Sequence, residues 1–163
     1  DGIRLMKARN ITLRLATAAD ARAIAELSRD LIEYGLGWSW TPQRVARAIA
    51  NRETATVVAC DGGVAGFAIM FFGDEDAHLN LLAVSPAYQR TGVGQRLFAW
   101  MRESALVAGI AVIRLELRAT NQAARRFYRL LGFTEIGCVP FYYSGREAAL
   151  RMTLQLRKPS GTA

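Results

Sequence analysis

With two cysteines, one histidine and four prolines among 163 residues, the chain lacks the material for several classes of protein. Neither Cys60 nor Cys138 has a second cysteine or a histidine at metal-ligand spacing, so no metal site is expected. The two lie far apart in apolar, strand-like contexts, which predicts buried free thiols in a reducing compartment rather than a disulfide framework. No apolar run is long enough to span a bilayer, and Val64 to Phe72 is interrupted by Gly66. No charged-then-apolar leader precedes a small-residue cleavage site, so a cytoplasmic protein without a membrane partner is expected. No repeat with a period of about 20–50 residues is present, which excludes solenoids and propellers. Acidic residues are the scarcer charge, 14 Asp plus Glu against 21 Lys plus Arg, for a net charge of +7. The arginines are scattered through every segment, so a nucleic-acid footprint is not expected, whereas a small polyanionic ligand would need only a few of them.

What is present is a folding composition. Hydrophobic residues make up 52% and charged residues 21%, enough for one domain with a real core. The expected domain runs over 9–157, with 1–8 and 158–163 as flexible termini. Ile11 to Leu15 alternates as a half-buried strand, and Thr17 with Asp20 resembles a capping box for a helix striped by Ile24, Leu27 and Leu31. Thr41-Pro42 starts a second helix whose buried side is Val45, Ala48 and Ile49. Thr54 to Cys60 and Val64 to Phe72 read as a hairpin turning at Asp61-Gly62-Gly63. His78 to Val84 is the next strand. A helix from Gly94 to Ala108 follows, with Leu97, Met101 and Leu106 expected buried. Ala111 to Arg118 is a strand, Asn121 caps a helix that Gly132 ends, and Phe133 to Val139 is a strand. A Pro140 to Tyr143 loop and a last strand from Ala149 to Leu156 complete the pattern. Early hairpins predict antiparallel pairing, and the strand–helix–strand units from His78 onward predict parallel pairing. The expected fold is α/β (α+β), a mixed, twisted sheet of about seven strands flanked by helices.

One stretch stands out chemically. The strand ending in Leu82-Ala83-Val84 breaks at Ser85-Pro86, and Gln89-Arg90-Thr91-Gly92-Val93-Gly94-Gln95 then opens a helix. Glycines at a helix mouth let backbone N–H groups approach a ligand, and a helix N-terminus favours an anion. A dinucleotide-binding turn is one reading. Against it, Leu97 stands where G-x-G-x-x-G needs its third glycine, and no ribose-binding acid follows at the right distance.

Three stretches together resemble the GCN5-related N-acetyltransferase (GNAT) superfamily. They are Leu82-Ala83-Val84-x-Pro86-x-Tyr88-Gln89-Arg90-x-Gly92-x-Gly94, Leu115-Glu116-Leu117-Arg118-Ala119-x-Asn121-x-x-Ala124, and Phe127-Tyr128-x-x-Leu131-Gly132-Phe133. The second and third look most like the ribosomal-protein-alanine N-acetyltransferases. The Pro140-Phe141-Tyr142-Tyr143 segment departs from that subfamily by carrying Phe141 where it has asparagine, and the Gly35 to Thr41 segment does not match it. The resemblance implies an enzyme that moves an acetyl group from acetyl-CoA to a primary amine through a tetrahedral intermediate. It implies coenzyme A contacts at Leu82, Ala83, Val84, Gln89, Arg90, Thr91, Gly92, Val93, Gly94, Gln95 and Asn121. Dimers are common in the superfamily, so a homodimer is an open expectation.

A tetrahedral oxyanion needs a preset donor, and the resemblance places one where the strand through Leu82 to Val84 splays from its parallel neighbour. The amine must lose a proton, and Glu116 is the candidate acceptor; a solvent-facing glutamate paired with Arg114 or Arg118 is the plainer alternative. Asp74, Glu75, Asp76 and His78 are weaker candidates on the substrate side. Tyr128 matches the family's general acid toward the leaving thiolate. Asn121, seven residues earlier and about 10.5 Å along the helix, would touch the pantetheine arm while also serving as an N-cap. Trp38, Trp40, Tyr142 and Tyr143 are candidate walls of the acceptor pocket. A protein N-terminus, a lysine or a small amine remain open as acceptor, and a non-catalytic acyl-CoA sensor remains the rival reading that turnover would separate.

Overall fold

The computed structural model describes residues 10–157; the segments 1–8 and 158–163, expected to be flexible, lie outside the described residues. Strands β1 (Thr12–Leu15), β2 (Thr54–Asp61), β3 (Gly63–Phe72), β4 (Asp76–Val84), β5 (Val112–Arg118), β6 (Thr134–Tyr143) and β7 (Glu147–Gln155) form the sheet. Helices α1 (Ala21–Leu31), α2 (Pro42–Ala50), α3 (Val93–Val107) and α4 (Gln122–Leu130) cover it. The seven strands lie in the order β1-β2-β3-β4-β5-β7-β6, the mixed α/β sheet expected from the sequence.

Local chemistry sets the helix starts. The Asp20 carboxylate accepts from the Thr17 N–H at 2.8 Å and from Arg14 at 2.8 Å, which fixes the turn leading into α1. The Thr41 hydroxyl accepts from the Arg44 N–H at 3.3 Å with Pro42 behind it, a cap worth about 1 kcal/mol. Two apolar layers result. Leu97, Phe98 and Met101 of α3 pack with Leu115, Leu117 and Met152 on one face of the sheet. Ile24 and Ala25 of α1 and Val45 of α2 pack with Val58, Phe67 and Ile69 on the other.

Several expectations need correction. Only β4 and β5 pair in parallel, because the closing hairpin folds β7 into the place between β5 and β6. Pro140 to Tyr143 is the end of β6 rather than a loop, with Phe141 at φ 56° and the ladder interrupted between Val139 and Tyr143. Cys138 is exposed on this edge strand and Cys60 is half-buried, so neither thiol is in the core. Leu106 is 42% exposed, since it follows Ala105 onto the outer side of the last turn of α3, where Ala105 itself is buried.

The feature that positions the site is a defect in the sheet. Ile69 pairs with Leu81 and Met70 with Leu79, which leaves Asn80 as an extra, bulged residue of β4. A bulge bends a strand and increases its twist. On its other side β4 pairs with β5 only from Asp76 to His78, and the ladder ends at the His78–Arg114 pair. Beyond it, Leu79–Val84 and Leu115–Arg118 diverge. A buried main-chain group left unpaired costs about 1–3 kcal/mol, so this opening is stable only where water or a ligand reaches it.

Candidate active site

The diverging strands open into a cavity of about 880 Å³. Leu82, Ala83 and Val84 of β4 line one wall, and Glu116 and Arg118 of β5 the other. Gln89, Arg90, Gly92, Gly94 and Gln95 close the end at the start of α3, while Asn121 and Tyr128 enter from α4. Eleven of the thirteen candidate residues therefore share one cavity. Thr91 and Val93 are not among its walls: the Thr91 hydroxyl donates to the Tyr88 carbonyl, and the Val93 side chain is buried in the core. Both serve the turn through the backbone and its anchoring.

The turn is shaped by two special positions. Gly92 sits at φ 88°, in the left-handed region that favours glycine, and forms the N-cap of α3. At Gly94 an added Cβ would lie 3.3 Å from the Phe127 ring, so glycine lets the mouth of α3 come up against α4. The Gln89 side chain donates to the Val84 carbonyl at 2.9 Å and ties the turn back to the end of β4. Arg126 of α4, which no motif marked, lines the cavity together with Arg90. Open amide groups at a helix N-terminus with two guanidinium groups nearby suit a phosphate-bearing ligand. The residues present thus fit a coenzyme A tail.

At the other end, where the ladder stops, stands a group of side chains. His78 Nε2 and Glu116 Oε2 are hydrogen-bonded. Asn80 Nδ2 lies 3.0 Å from His78 Nδ1. With the amide nitrogen donating to Nδ1, the ring proton sits on Nε2 and points at Glu116. Arg151 Nε is 3.7 Å from the second carboxylate oxygen. The bond from His78 is the chief reason the Glu116 carboxyl is held below the ordinary carboxylate range, with Arg151 and Arg114 adding to it and burial opposing. Its partners are therefore His78 and Arg151, not the Arg114 or Arg118 of the plainer sequence reading: Arg114 pairs with Asp76 at 3.0 Å and Arg118 with Glu147 at 3.3 Å. Sequence reasoning undervalued His78, whose partner is 38 residues away. The one available signal was a lone histidine on the strand expected to run parallel to that of Glu116.

Tyr128 is 8% exposed and more deeply set than its neighbours Phe127 and Leu131. It packs edge-on to Phe127 and Phe133, with centroids at 5.1 and 5.4 Å, and burial raises its pKa above the ordinary value. Of the aromatic candidates, Tyr143 lines the main cavity with Tyr142 edge-on to it at 4.9 Å. Trp40 lines a second, smaller cavity. Trp38 lines neither, and its indole donates to the Ala25 carbonyl of α1 at 3.0 Å. Asn121 caps α4, accepting from the Ala124 N–H at 3.1 Å, and borders the cavity as well.

Comparison with known proteins agrees with this geometry. Residues 14–133 match the model of the acetyltransferase (GNAT) family. The ribosomal protein bS18-alanine N-acetyltransferase of Escherichia coli strain K12 is 34% identical over 120 residues, 72% of this chain and 81% of that protein. N-alpha-acetyltransferase RimI of Mycobacterium tuberculosis is 35% identical over 145 residues, 85% and 89% of the two chains. The structure of yncA from Salmonella typhimurium, solved with its cofactor acetyl-CoA, superposes with a TM-score of 0.77 at 25% identity. It covers 94% of this chain and 98% of its own. Among the described residues no helix is long and apolar enough to cross a membrane.

Proposed function

Because the chain belongs to the GNAT family and is an acetyl-CoA-dependent N-acetyltransferase, we propose that its acceptor is the α-amine of a protein or peptide and that Glu116, backed by His78, receives the amine's proton. The observation that carries this reading is the Glu116–His78 pair standing at the point where β4 and β5 part. Acetyl-CoA supplies a thioester carbonyl, and every other role falls to the chain. Main-chain groups of Leu82–Val84, freed from pairing with β5, are available to the acyl arm and to the negative charge that develops on the carbonyl oxygen in a tetrahedral intermediate. Arg90, Gly92, Gly94, Gln95 and Arg126 hold the phosphates. Tyr128 keeps its proton through the neutral range and presents it where the thiolate leaves.

The state of Glu116 favours an α-amine over lysine. A carboxylate held below its usual pKa is a weak base, so the acceptor must arrive partly deprotonated. At pH 7 about a tenth of an α-amine with pKa near 8 is neutral, against about one in 2,500 for a lysine with pKa near 10.4. The relatives named for alanine and α-amine acetylation point the same way.

The test is kcat/KM as a function of pH for a peptide with a free α-amine and for the same peptide N-terminally blocked with an internal lysine. The free α-amine peptide is expected to be used with kcat/KM rising through an inflection near pH 8 to a plateau above about pH 9, and with no inflection at about 4.5. Turnover of the lysine peptide alone, with the rise continuing to about pH 10, would overturn the assignment.

A further inference from the structure

A second cavity, of about 330 Å³, lies on the same sheet face as Glu116. Its floor is Thr54 of β2 with Ile69 and Phe71 of β3, and Arg44 and Arg47 of α2 stand over it beside Trp40. Asn80 borders this cavity and the main one, and is hydrogen-bonded to the His78 that holds Glu116. The two spaces therefore meet at the reacting end of the site.

The second cavity is electrostatically one-sided. No carboxylate lines it, and among the described residues neither Arg44 nor Arg47 is in an ion pair. The other charges on this face are already matched, Arg114 by Asp76 and Arg151 by Glu116. Arg44 is also placed in advance: its guanidinium carbon lies 3.8 Å over the Trp40 ring. The main chain there is held by Glu33, which is itself buried and accepts from the Ser39 N–H at 2.9 Å and the Trp40 N–H at 3.3 Å. A guanidinium stacked by its face keeps the in-plane N–H edge free for a planar oxyanion. Arg47, three residues on, shares that side of the helix.

We propose that this cavity is an acceptor subsite that takes the carboxylate side chain of an aspartate or glutamate close behind the peptide N-terminus. The assignment rests on the α-amine reading above and adds the substrate class to it. The adjacency fits: Asn80 borders both cavities and its amide nitrogen lies 3.0 Å from His78 Nδ1, so the second cavity begins one side chain away from the Glu116–His78 pair. An amine beside Glu116 thus places the side chain of the second or third acceptor residue at the mouth of Arg44 and Arg47. A basic peptide entering the same way brings like charges together.

The test uses three peptides of equal length that begin Ala-Ala-Ala, Ala-Asp-Glu and Ala-Arg-Arg and are otherwise identical. Each is assayed with the wild-type chain, with Arg44→Ala/Arg47→Ala and with Arg44→Glu/Arg47→Glu. Coenzyme A affinity by calorimetry shows that each variant is folded. The wild-type chain should use the acidic peptide about 10-fold better than the basic one, chiefly through KM. That ratio should shrink toward one in the alanine variant and invert in the glutamate variant. An unchanged ratio across the three proteins, or a wild-type preference for the basic peptide, overturns the subsite. Failure to use any of the three, the neutral peptide included, instead overturns the α-amine reading on which it stands.

Discussion

The two ends of the main cavity are built by different means. The end at α3 is drawn from one continuous stretch of chain, Leu82 to Gln95, with Gly92 at φ 88° and Gly94 against Phe127. The end where the β4–β5 ladder stops is made of side chains brought from separate elements: Asn80 of β4 and Glu116 of β5 line it, and His78 of β4 and Arg151 of β7 hold the Glu116 carboxylate. The first suits a ligand common to a whole family, since backbone amides and a helix N-terminus recognise phosphate whatever else is attached. The second suits chemistry and selection, because exchanging one side chain changes proton affinity or charge without disturbing the fold. A single bulge at Asn80 and a ladder that ends at His78 join the two.

The sharpest way to separate the ends is Glu116→Gln. It keeps the shape and removes the charge that His78 and Arg151 attend, so kcat should fall by 100-fold or more, in the range of a lost general base, at roughly 10²–10⁴. Affinity for coenzyme A, measured by calorimetry, should stay near the wild-type value. A parallel loss of coenzyme A binding would mean that the two ends are not separable.

The converse substitution is Gly94→Val. Its branched side chain meets the Phe127 ring, which a Cβ alone would approach to 3.3 Å, and pushes α3 away from α4. Coenzyme A affinity should weaken by about 10-fold, corresponding to about 1.4 kcal/mol, with the acceptor KM little changed. An unaltered affinity would remove the close approach of α3 to α4 from the explanation of the site.

The same contrast accounts for what could be read from the sequence. The glycine turn at the mouth of α3 was legible because its determinants are contiguous: a strand, a break at Ser85-Pro86, two glycines and a helix. Capped helices such as the one begun by Thr41-Pro42 were legible for the same reason. The acceptor end was not. Glu116 was marked, but its bond to His78 spans 38 residues and depends on the β4–β5 register, which no local pattern states. Arg44 and Arg47 look like ordinary solvent-facing residues of an amphipathic helix until Trp40 and Asn80 are placed beside them. The misread parts fail on tertiary grounds too. The strand end over 140–143 depends on a hairpin partner with a left-handed Phe141, and Cys138 is exposed because β6 is the sheet's edge.

Hydrogen–deuterium exchange with and without coenzyme A tests most directly whether main chain freed by the parting strands holds the carrier. Binding should slow exchange at the amides of Leu82–Val84 and Arg90–Gln95 and leave those of α2 and of the β2–β3 hairpin unchanged. Saturating coenzyme A with no added protection at Leu82–Val84 and Arg90–Gln95, or with protection confined to α2, would contradict it.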